Sequence, residues 1–303
     1  MQVLTAVSNP HLTKLDGTQI NHITDIIKKN DGKILDIDAL KQLEAFEISF
    51  STLNPASVDK IFIEMEKFKQ LNLIDFAIQE KTDDRKKKLL LADMDSTIIE
   101  QECLDEMALL AGIKDKIQLI TEKAMRGEIN FENALIERIN YLTDVPVKIM
   151  EQVYEKIKIR AGAKSLVNTM KVNGARTILI SGGFTFFTEK IANAVGFDIQ
   201  KANVLEESNG MFTGKVRMPI LGPNAKLECL KINAKELGIS IKQAIAVGDG
   251  ANDLGIIQNA GIGVAFKAKP IIRNATKFRI DYCDLTALLY FQGYNSYEIH
   301  YIN

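Results

Sequence analysis

Two aspartates stand one residue apart, directly after a short apolar run. The run is Leu89–Ala92, and the acids are Asp93 and Asp95. In an extended chain residues i and i+2 point to the same face, so both carboxylates can be aimed at one place. Two acids at the end of a core strand repel each other and resist desolvation, unless a divalent cation or a hydrogen-bonded substrate lies between them. The alternative is a strand followed by a helix that one aspartate caps. The pair alone does not decide between these interpretations.

Three other groups of polar residues have types that suit a phosphorylated ligand. Ser181–Gly183 offers a hydroxyl and exposed backbone N–H groups, which suit an anion. Lys226 stands near the start of a predicted helix, where the positive end of the helix favours phosphate. Gly248–Asp253 places two more aspartates and an asparagine on a glycine turn. Each group alone has an ordinary explanation as a turn or a solvated lysine, but their order along the chain favours one shared site.

Strands that alternate with helices are predicted to position these groups. The predicted strands are 89–92, 177–180, 244–247 and 262–266, with short strands at 203–205 and 215–216, and the predicted helices are 164–172, 187–195, 225–237 and 254–259. This alternation indicates an α/β fold with a doubly wound parallel sheet. In such sheets ligands bind at the carboxyl ends of the strands. Asp93, Ser181 and Asp249 all follow predicted strands, so we expect them at one edge of the sheet.

The segment between the first of these strands and residue 160 is mostly helical in pattern. Apolar residues recur at three and four residues in 102–110, 113–125, 131–142 and 147–158, and no convincing strand interrupts them. The sequence therefore predicts a helical insertion into the α/β unit.

Residues 1–82 are predicted to form a separate small α+β domain. Strands are expected at 2–8, 34–37, 46–50 and 71–78, with helices at 18–29 and 58–68, whose core candidates include Ile61, Ile63 and Met65. The order β-α-β-β-α-β is similar to a ferredoxin-like fold and therefore to an ACT-type regulatory domain. ACT domains that bind an amino acid usually do so near a glycine in the first strand–helix turn, and residues 8–12 contain none. A domain that only packs or dimerises is thus as well supported as one that senses a ligand.

The charged stretch Lys81–Lys88 is interpreted as a solvated linker that separates residues 1–82 from a second domain at 88–303. A nucleic-acid patch is the less favoured alternative, because two acids stand beside the basic run. The whole chain of 303 residues has a formal net charge of −1, which gives no reason to expect binding to nucleic acid or to an anionic membrane.

Composition also bounds the location of the protein and the kind of metal site. The three cysteines fit neither a zinc site nor a disulfide framework, and the chain begins without a signal-peptide pattern, so we expect a reducing cytoplasm. No apolar stretch is long enough to span a membrane. The three histidines lie far from the polar groups described above, so any metal site is expected to use oxygen ligands.

These motifs together resemble the haloacid dehalogenase superfamily. Its signature is DxDxT, then Ser or Thr, then Lys, then an acidic GDxxND turn, and here these are Asp93–Thr97, Ser181, Lys226 and Gly248–Asp253. Further segments resemble the phosphoserine phosphatase family within it, over about residues 88–290. They are Glu100–Cys103, Met125–Gly127, Asn130-Phe131 and Ser181–Phe184. The resemblance implies a Rossmann-like parallel-sheet core, with the helical insertion at about 101–160 acting as a cap over the site.

The resemblance also implies roles for the core residues. Asp93 would be the nucleophile that forms an aspartyl-phosphate. Mg²⁺ would be held by the side chains of Asp93 and Asp249 and by the backbone carbonyl of Asp95. Asp95 would protonate the leaving oxygen and then deprotonate the attacking water. Ser181 and Lys226 would hold the transferring group. The Gly182 N–H would help them, and Asn252 and Asp253 would orient the metal waters and the lysine.

The cap residues would recognise the rest of the substrate. By the resemblance, Glu102 would accept an ammonium, Arg138 would bind a carboxylate, and Met125 and Phe131 would form an apolar wall. The expected activity is Mg²⁺-dependent hydrolysis of O-phosphoserine, a small phosphomonoester, to L-serine in serine biosynthesis. The alternatives are a related phosphatase or phosphotransferase for another small substrate, and an amino-acid-binding regulator without catalysis. Whether the chain forms a homodimer is left open.

Overall fold

A computed structural model describes residues 1–125 and 128–302, without the side chain of Met125. Its strands are β1 (Gln2–Ser8), β2 (Gly32–Lys41), β3 (Ala45–Thr52), β4 (Ile74–Glu80), β5 (Leu89–Ala92), β6 (Arg176–Phe184), β7 (Ile199–Asn203), β8 (Leu205–Ser208), β9 (Met211–Val216), β10 (Ala244–Gly248), β11 (Ile262–Phe266) and β12 (Phe278–Ile280). Its α-helices are α1 (Gly17–Lys29), α2 (Ala56–Asn72), α3 (Cys103–Leu110), α4 (Lys114–Met125), α5 (Phe131–Asn140), α6 (Ile149–Tyr154), α7 (Ala163–Val172), α8 (Thr185–Val195), α9 (Pro223–Glu236), α10 (Leu254–Asn259), α11 (Pro270–Arg273) and α12 (Ala287–Phe291).

Ten of the strands form one continuous sheet in the order β2-β3-β1-β4-β12-β11-β10-β5-β6-β7. The run from β12 to β7 is parallel, as the alternation of strands and helices predicts. Both faces of this part are covered. Leu90 and Ala92 pack in one hydrophobic cluster, while Leu89 and Leu91 pack in another on the opposite face. Because side chains alternate along a strand, this apolar run is what a doubly covered sheet requires. The predicted doubly wound core is confirmed.

The N-terminal strands join this sheet. β1 to β4 pair antiparallel with one another, and β4 pairs antiparallel with β12, where Phe76 lies opposite Arg279. The predicted order of elements over residues 1–80 is confirmed. Ile63 was expected in the core of α2 but is 57% exposed, because the buried face of that helix carries Ser57, Ile61, Met65 and Lys69.

The charged stretch before β5 is only partly a solvated linker. Most of residues 81–88 are exposed or half-buried, but Arg85 is 7% exposed and forms a buried ion pair with Glu47 of β3. The expectation that the whole stretch is solvated is therefore wrong at Arg85, since its guanidinium anchors the segment to the N-terminal strands.

Four helices, α3 to α6, lie outside the sheet between β5 and β6, as the helical pattern predicts. The separate hairpin of β8 and β9 packs against them. Asp144 N–H donates to the Phe212 carbonyl at 3.0 Å, and Phe212 N–H donates to the Val145 carbonyl at 3.0 Å. The two short strands predicted near Asn209-Gly210 thus extend this helical layer instead of the main sheet.

Candidate active site

The carboxyl ends of three neighbouring strands bring the predicted residues together. β10, β5 and β6 are adjacent and parallel, so the residues at their carboxyl ends and directly after them meet at one edge. Asp249, Asp93 and Ser181 line one cavity of about 170 Å³ there. The complete set of lining residues is Asp93, Asp95, Glu102, Leu104, Phe131, Leu135, Arg138, Ser181, Gly182, Gly183, Phe184, Asp249, Asn252 and Lys269. The predicted convergence at one edge of the sheet is what the structure shows.

Lys226 connects two carboxylates at the floor of this cavity. Its Nζ donates to Asp93 Oδ1 at 2.5 Å and to Asp253 Oδ1 at 2.7 Å, and the lysine is 1% exposed. Asp253 also accepts from the Gly250 N–H at 3.3 Å. The fourth residue of α9 therefore places a fixed positive charge beside Asp93.

Three of the carboxylates are suited to hold a divalent cation. Oxygen atoms of Asp93, Asp249 and Asp253 lie within 4.8 Å of one another, and all three residues are buried. Burial raises the pKa of Asp93 well above its usual value, with the Asp253 charge adding to it and Lys226 opposing it. Burial also raises the pKa of Asp249. Two lysines, Lys226 and Lys269, do not neutralise three carboxylates, and hard oxygen donors are what Mg²⁺ prefers, so the donor set fits that ion.

Asp95 lies beside this cluster with both carboxylate oxygens in hydrogen bonds. Ser181 Oγ donates to Oδ2 at 3.0 Å, and the Cys103 N–H donates to Oδ1 at 2.9 Å. The Gly183 N–H in turn donates to Ser181 Oγ at 2.8 Å. Burial raises the pKa of Asp95, while these donors favour its charged form. The chain turns sharply after Asp95, because Ser96 adopts φ 56°.

The helical layer closes the cavity from the other side. Glu102 precedes α3 and accepts from Ser96 Oγ at 2.8 Å. Desolvation in the cavity and the neighbouring Asp95 charge raise the pKa of Glu102 to about 7. Arg138 of α5 donates from Nε to the Ala134 carbonyl at 3.2 Å and lines the same cavity. An acid and a guanidinium thus face one small space.

Phe131 begins α5 and lies directly over Gly182. A Cβ added at Gly182 would be 2.8 Å from Phe131 Cζ, closer than real carbon contacts allow. Glycine at this position therefore lets the aromatic ring approach the backbone of the strand end, and a larger residue would require the ring to shift.

Comparison with known proteins shows where this site belongs. The profile of the haloacid dehalogenase-like hydrolases matches residues 90–258. The chain belongs to this hydrolase family.

Relatives of this hydrolase include two proteins named phosphoserine phosphatase. The one from Streptococcus thermophilus is 44% identical over 66% of this chain and 93% of its own length. The one from Archaeoglobus fulgidus is 41% identical over 68% of this chain, but the match spans only 60% of that protein's length. A solved structure described as HAD family hydrolase t0658 from Salmonella enterica serovar Typhi has a TM-score of 0.83 at 26% identity. It covers 96% of this chain and 98% of its own.

Eleven of the predicted site residues of this hydrolase lie in or directly beneath the cavity. Lys226 and Asp253 form its floor, and Asn252 lines it with the residues described above. The remaining predicted site residue is Met125, whose side chain lies outside the part of the chain that the structure describes. The proposed metal contact of the Asp95 carbonyl stays a prediction.

Lys269 is a cavity residue that the motifs did not reveal. Its Nζ lies 3.5 Å from Asp249 Oδ2 and 4.0 Å from Glu102 Oε1, and its N–H donates to the Asp249 carbonyl at 2.9 Å. It follows β11, the fourth parallel strand at this edge. The rule that places ligands at the carboxyl ends of parallel strands applies to this strand as well.

Proposed function

We propose that this hydrolase is a Mg²⁺-dependent phosphoserine phosphatase that releases L-serine and phosphate. The observation that carries the proposal is the arrangement of Asp93, Lys226 and the neighbouring carboxylates opposite an acid and an arginine in one small cavity. The names of the two relatives support the same substrate. Free phosphoserine presents a phosphate to the strand edge, and an ammonium and a carboxylate to the helical layer.

Asp93 would attack phosphorus in this proposal. Phosphoryl transfer depends on positioning and on neutralising the charge of the equatorial oxygens. Lys226 lies 2.5 Å from Asp93 Oδ1, so it can hold both the attacking carboxylate and a phosphate oxygen. Ser181 and the Gly182 N–H are the further donors at this edge. Mg²⁺, held by Asp93 and Asp249 and by the Asp95 carbonyl, would supply the remaining positive charge.

Asp95 is suited to proton transfer. Burial raises the pKa of its carboxyl, which favours a group that must both give and take a proton. It would protonate the serine oxygen as the ester breaks, and later accept a proton from the water that hydrolyses the aspartyl-phosphate. Asp253 fixes Lys226, and Asn252 lies at the rim where it can orient a water or the phosphate.

We propose the following division of the chain. Residues 1–82 form an ACT-like unit, residues 88–303 form the phosphatase domain, and 101–160 form its cap. The strand order β2-β3-β1-β4, with two helices, supports the first unit. In the described part of the chain no helix has the length and apolarity to span a membrane. The three cysteines are buried and unpaired, which supports a cytoplasmic location.

The experiment that tests the function is a substrate panel measured with and without Mg²⁺. We expect phosphate release from O-phosphoserine to exceed that from sugar phosphates by at least about 10²-fold in kcat/KM, because only phosphoserine satisfies both Glu102 and Arg138. Chelation of the metal should abolish release from every ester. Equal rates for phosphoserine and sugar phosphates would instead indicate a related phosphatase with another substrate.

Replacement of Arg138 should weaken the recognition of phosphoserine without impairing phosphoryl transfer from a generic ester. Burial lowers the pKa of its guanidinium, so a carboxylate partner from the substrate would relieve an unfavourable desolvation. We expect Arg138→Ala to lower kcat/KM for phosphoserine by about 10²-fold, the size of a lost charge-assisted bidentate contact. Steady-state kinetics with phosphoserine and with p-nitrophenyl phosphate would measure this. Equal losses on both substrates would assign Arg138 a structural role.

Substitution at Gly182 should displace the ring of Phe131. We expect Gly182→Ala to raise KM for phosphoserine by about tenfold, because the new methyl group occupies the place of Phe131 Cζ. Gly17→Ala is the matched control, since a Cβ added there meets nothing within 4 Å. The double variant Gly182→Ala with Phe131→Leu should recover most of the affinity. If it does not, the effect of the methyl group comes from the strand end itself.

A further inference from the structure

A second cavity, of about 680 Å³, lies where the N-terminal strands meet the parallel core. Three segments line most of it. They are the turn after β1 at Ser8–His11, the segment Arg160–Ser165 at the start of α7, and Tyr301-Ile302 near the end of the chain. The volume is within the range of small-molecule sites and exceeds that of the candidate active site. None of its lining residues belongs to the phosphate site.

The chemistry of the lining favours an organic anion. Arg160 donates from Nε to the Ser96 carbonyl at 3.1 Å, and no described residue accepts from its two terminal nitrogens. The lining also contains His11, Lys41, Lys164 and two acids, Glu44 and Asp284. Lys41 is paired with Glu44 at 2.6 Å. Beside the guanidinium the wall is apolar, formed by side chains that include Ile157 and Ile159. The guanidinium lies over the Phe266 ring, 5.5 Å from its centroid. A carboxylate on a small apolar body matches its two terminal nitrogens and the apolar wall beside them.

Arg160 also connects this cavity to the loop after β5 that carries Asp93 and Asp95. Its backbone N–H donates to the Ile98 carbonyl at 2.9 Å, and its Nε holds the carbonyl of Ser96. Ser96 has a left-handed backbone conformation, and its Oγ donates to Glu102 Oε1 at 2.8 Å. A ligand bound to the guanidinium is therefore connected through Ser96 to Glu102, the residue proposed to receive the substrate ammonium.

We propose that this cavity is an effector site for a small organic carboxylate, bound by the terminal nitrogens of Arg160, and that its occupancy changes the affinity of the active site for phosphoserine. The first part stands on the cavity alone, and the second rests on the proposed function. The two sites are coupled through Ser96. By thermodynamic reciprocity, bound phosphoserine changes the affinity of the cavity for the carboxylate by the same factor as the carboxylate changes the affinity for phosphoserine.

A fluorescent variant allows binding to be measured without any substrate. The chain contains no tryptophan, so Tyr301→Trp places a single indole at the cavity wall while keeping an aromatic face for Lys41. Phenylacetate is the probe, and phenylacetamide is its neutral counterpart. We expect saturable fluorescence change with phenylacetate, with a Kd on the order of 1 mM, and none with the amide.

Two further variants decide whether Arg160 is responsible. Arg160→Gln in the Tyr301→Trp background should weaken phenylacetate binding by at least about tenfold, the effect of one lost charge-assisted contact. Lys231→Gln removes a lysine that lies outside the cavity and should change nothing. Absence of saturable binding, or binding unaffected by Arg160→Gln, would overturn the site.

The effect on the active site is measured separately, by KM for phosphoserine in the wild-type enzyme at saturating phenylacetate. A change of at least about threefold, absent in Arg160→Gln, supports coupling. An unchanged KM with demonstrated binding would overturn the effector role. Because binding is read from fluorescence, failure of the phosphoserine assay itself would refute the proposed function and leave the binding result standing.

Discussion

Asp93→Asn is expected to lower kcat for phosphoserine by at least about 10³-fold and to leave the fold intact. An amide is a far weaker nucleophile than a carboxylate, and it cannot form the mixed anhydride on which the two-step reaction depends. Removing one negative oxygen also weakens the cation site, so we expect the concentration of Mg²⁺ needed for thermal stabilisation to rise.

The fold should tolerate this change because the buried charge of Asp93 destabilises the folded protein when no cation is bound. The residue is 3% exposed, and burial together with Asp253 raises its pKa well above the usual value. A neutral amide of the same shape removes the desolvation penalty. Lys226 keeps its other partner, Asp253, at 2.7 Å. In metal-free buffer the melting temperature of the variant should therefore be at least that of the wild type.

Single-turnover phosphate release, circular dichroism and thermal melting would measure these effects. Asp59→Asn is the matched control, because it makes the same chemical change at an exposed surface pair with Lys277. It should leave turnover and melting unchanged. Retained turnover in Asp93→Asn would remove this residue from the nucleophile role, and a large drop in melting temperature would show that its charge is structural.

Local sequence patterns were sufficient to predict the active-site edge. The signals are an apolar strand followed by acids and two further strands followed by polar turns, and each of them is contained within about ten neighbouring residues. The parallel alternation then determines that the strand ends meet. Asp93, Ser181 and Asp249 were placed correctly for this reason. Lys269 was missed because the segment after its strand, Lys267–Pro270, has no acid, hydroxyl or glycine like those at the other three strand ends.

The join between the N-terminal strands and the core could not be predicted in the same way. β12 has only three residues, too few for a periodic pattern, and it pairs with a strand some two hundred positions earlier in the chain. The side chains that connect the two parts of the sheet also give no signal in the sequence. Lys69 stands on an otherwise ordinary helix, and its partner Asp281 follows β12. Pairings this remote follow from the fold as a whole and have no local signal.

Lys69 holds the two parts of the sheet together. Its Nζ lies 2.9 Å from Asp75 and 2.7 Å from Asp281, and it donates to the Arg279 carbonyl at 3.0 Å, although the side chain is 1% exposed. Burial alone would lower its pKa, but the two carboxylates raise it. Asp75 also accepts from three backbone N–H groups that follow β12, at 2.8 to 2.9 Å.

Lys69→Met is therefore expected to lower the free energy of unfolding by about 3–5 kcal/mol, because it removes the cation that lies between Asp75, which is fully buried, and Asp281, although Asp281 keeps its ion pair with Arg273. The matched control is Lys29→Met, whose lysine pairs with Glu64 at the surface and should contribute less than about 1 kcal/mol. Urea unfolding followed by circular dichroism and by tyrosine fluorescence would measure both variants.

The same measurement tests whether the N-terminal strands are an independent domain or part of one cooperative unit. If the ten-stranded sheet unfolds as one, Lys69→Met should shift a single transition, and both probes should report the same midpoint. If residues 1–82 were an autonomous domain, the variant would instead separate two transitions. A loss below about 1 kcal/mol would contradict the role of Lys69, since a buried lysine between two carboxylates cannot be removed at so little cost unless the join opens in the wild type.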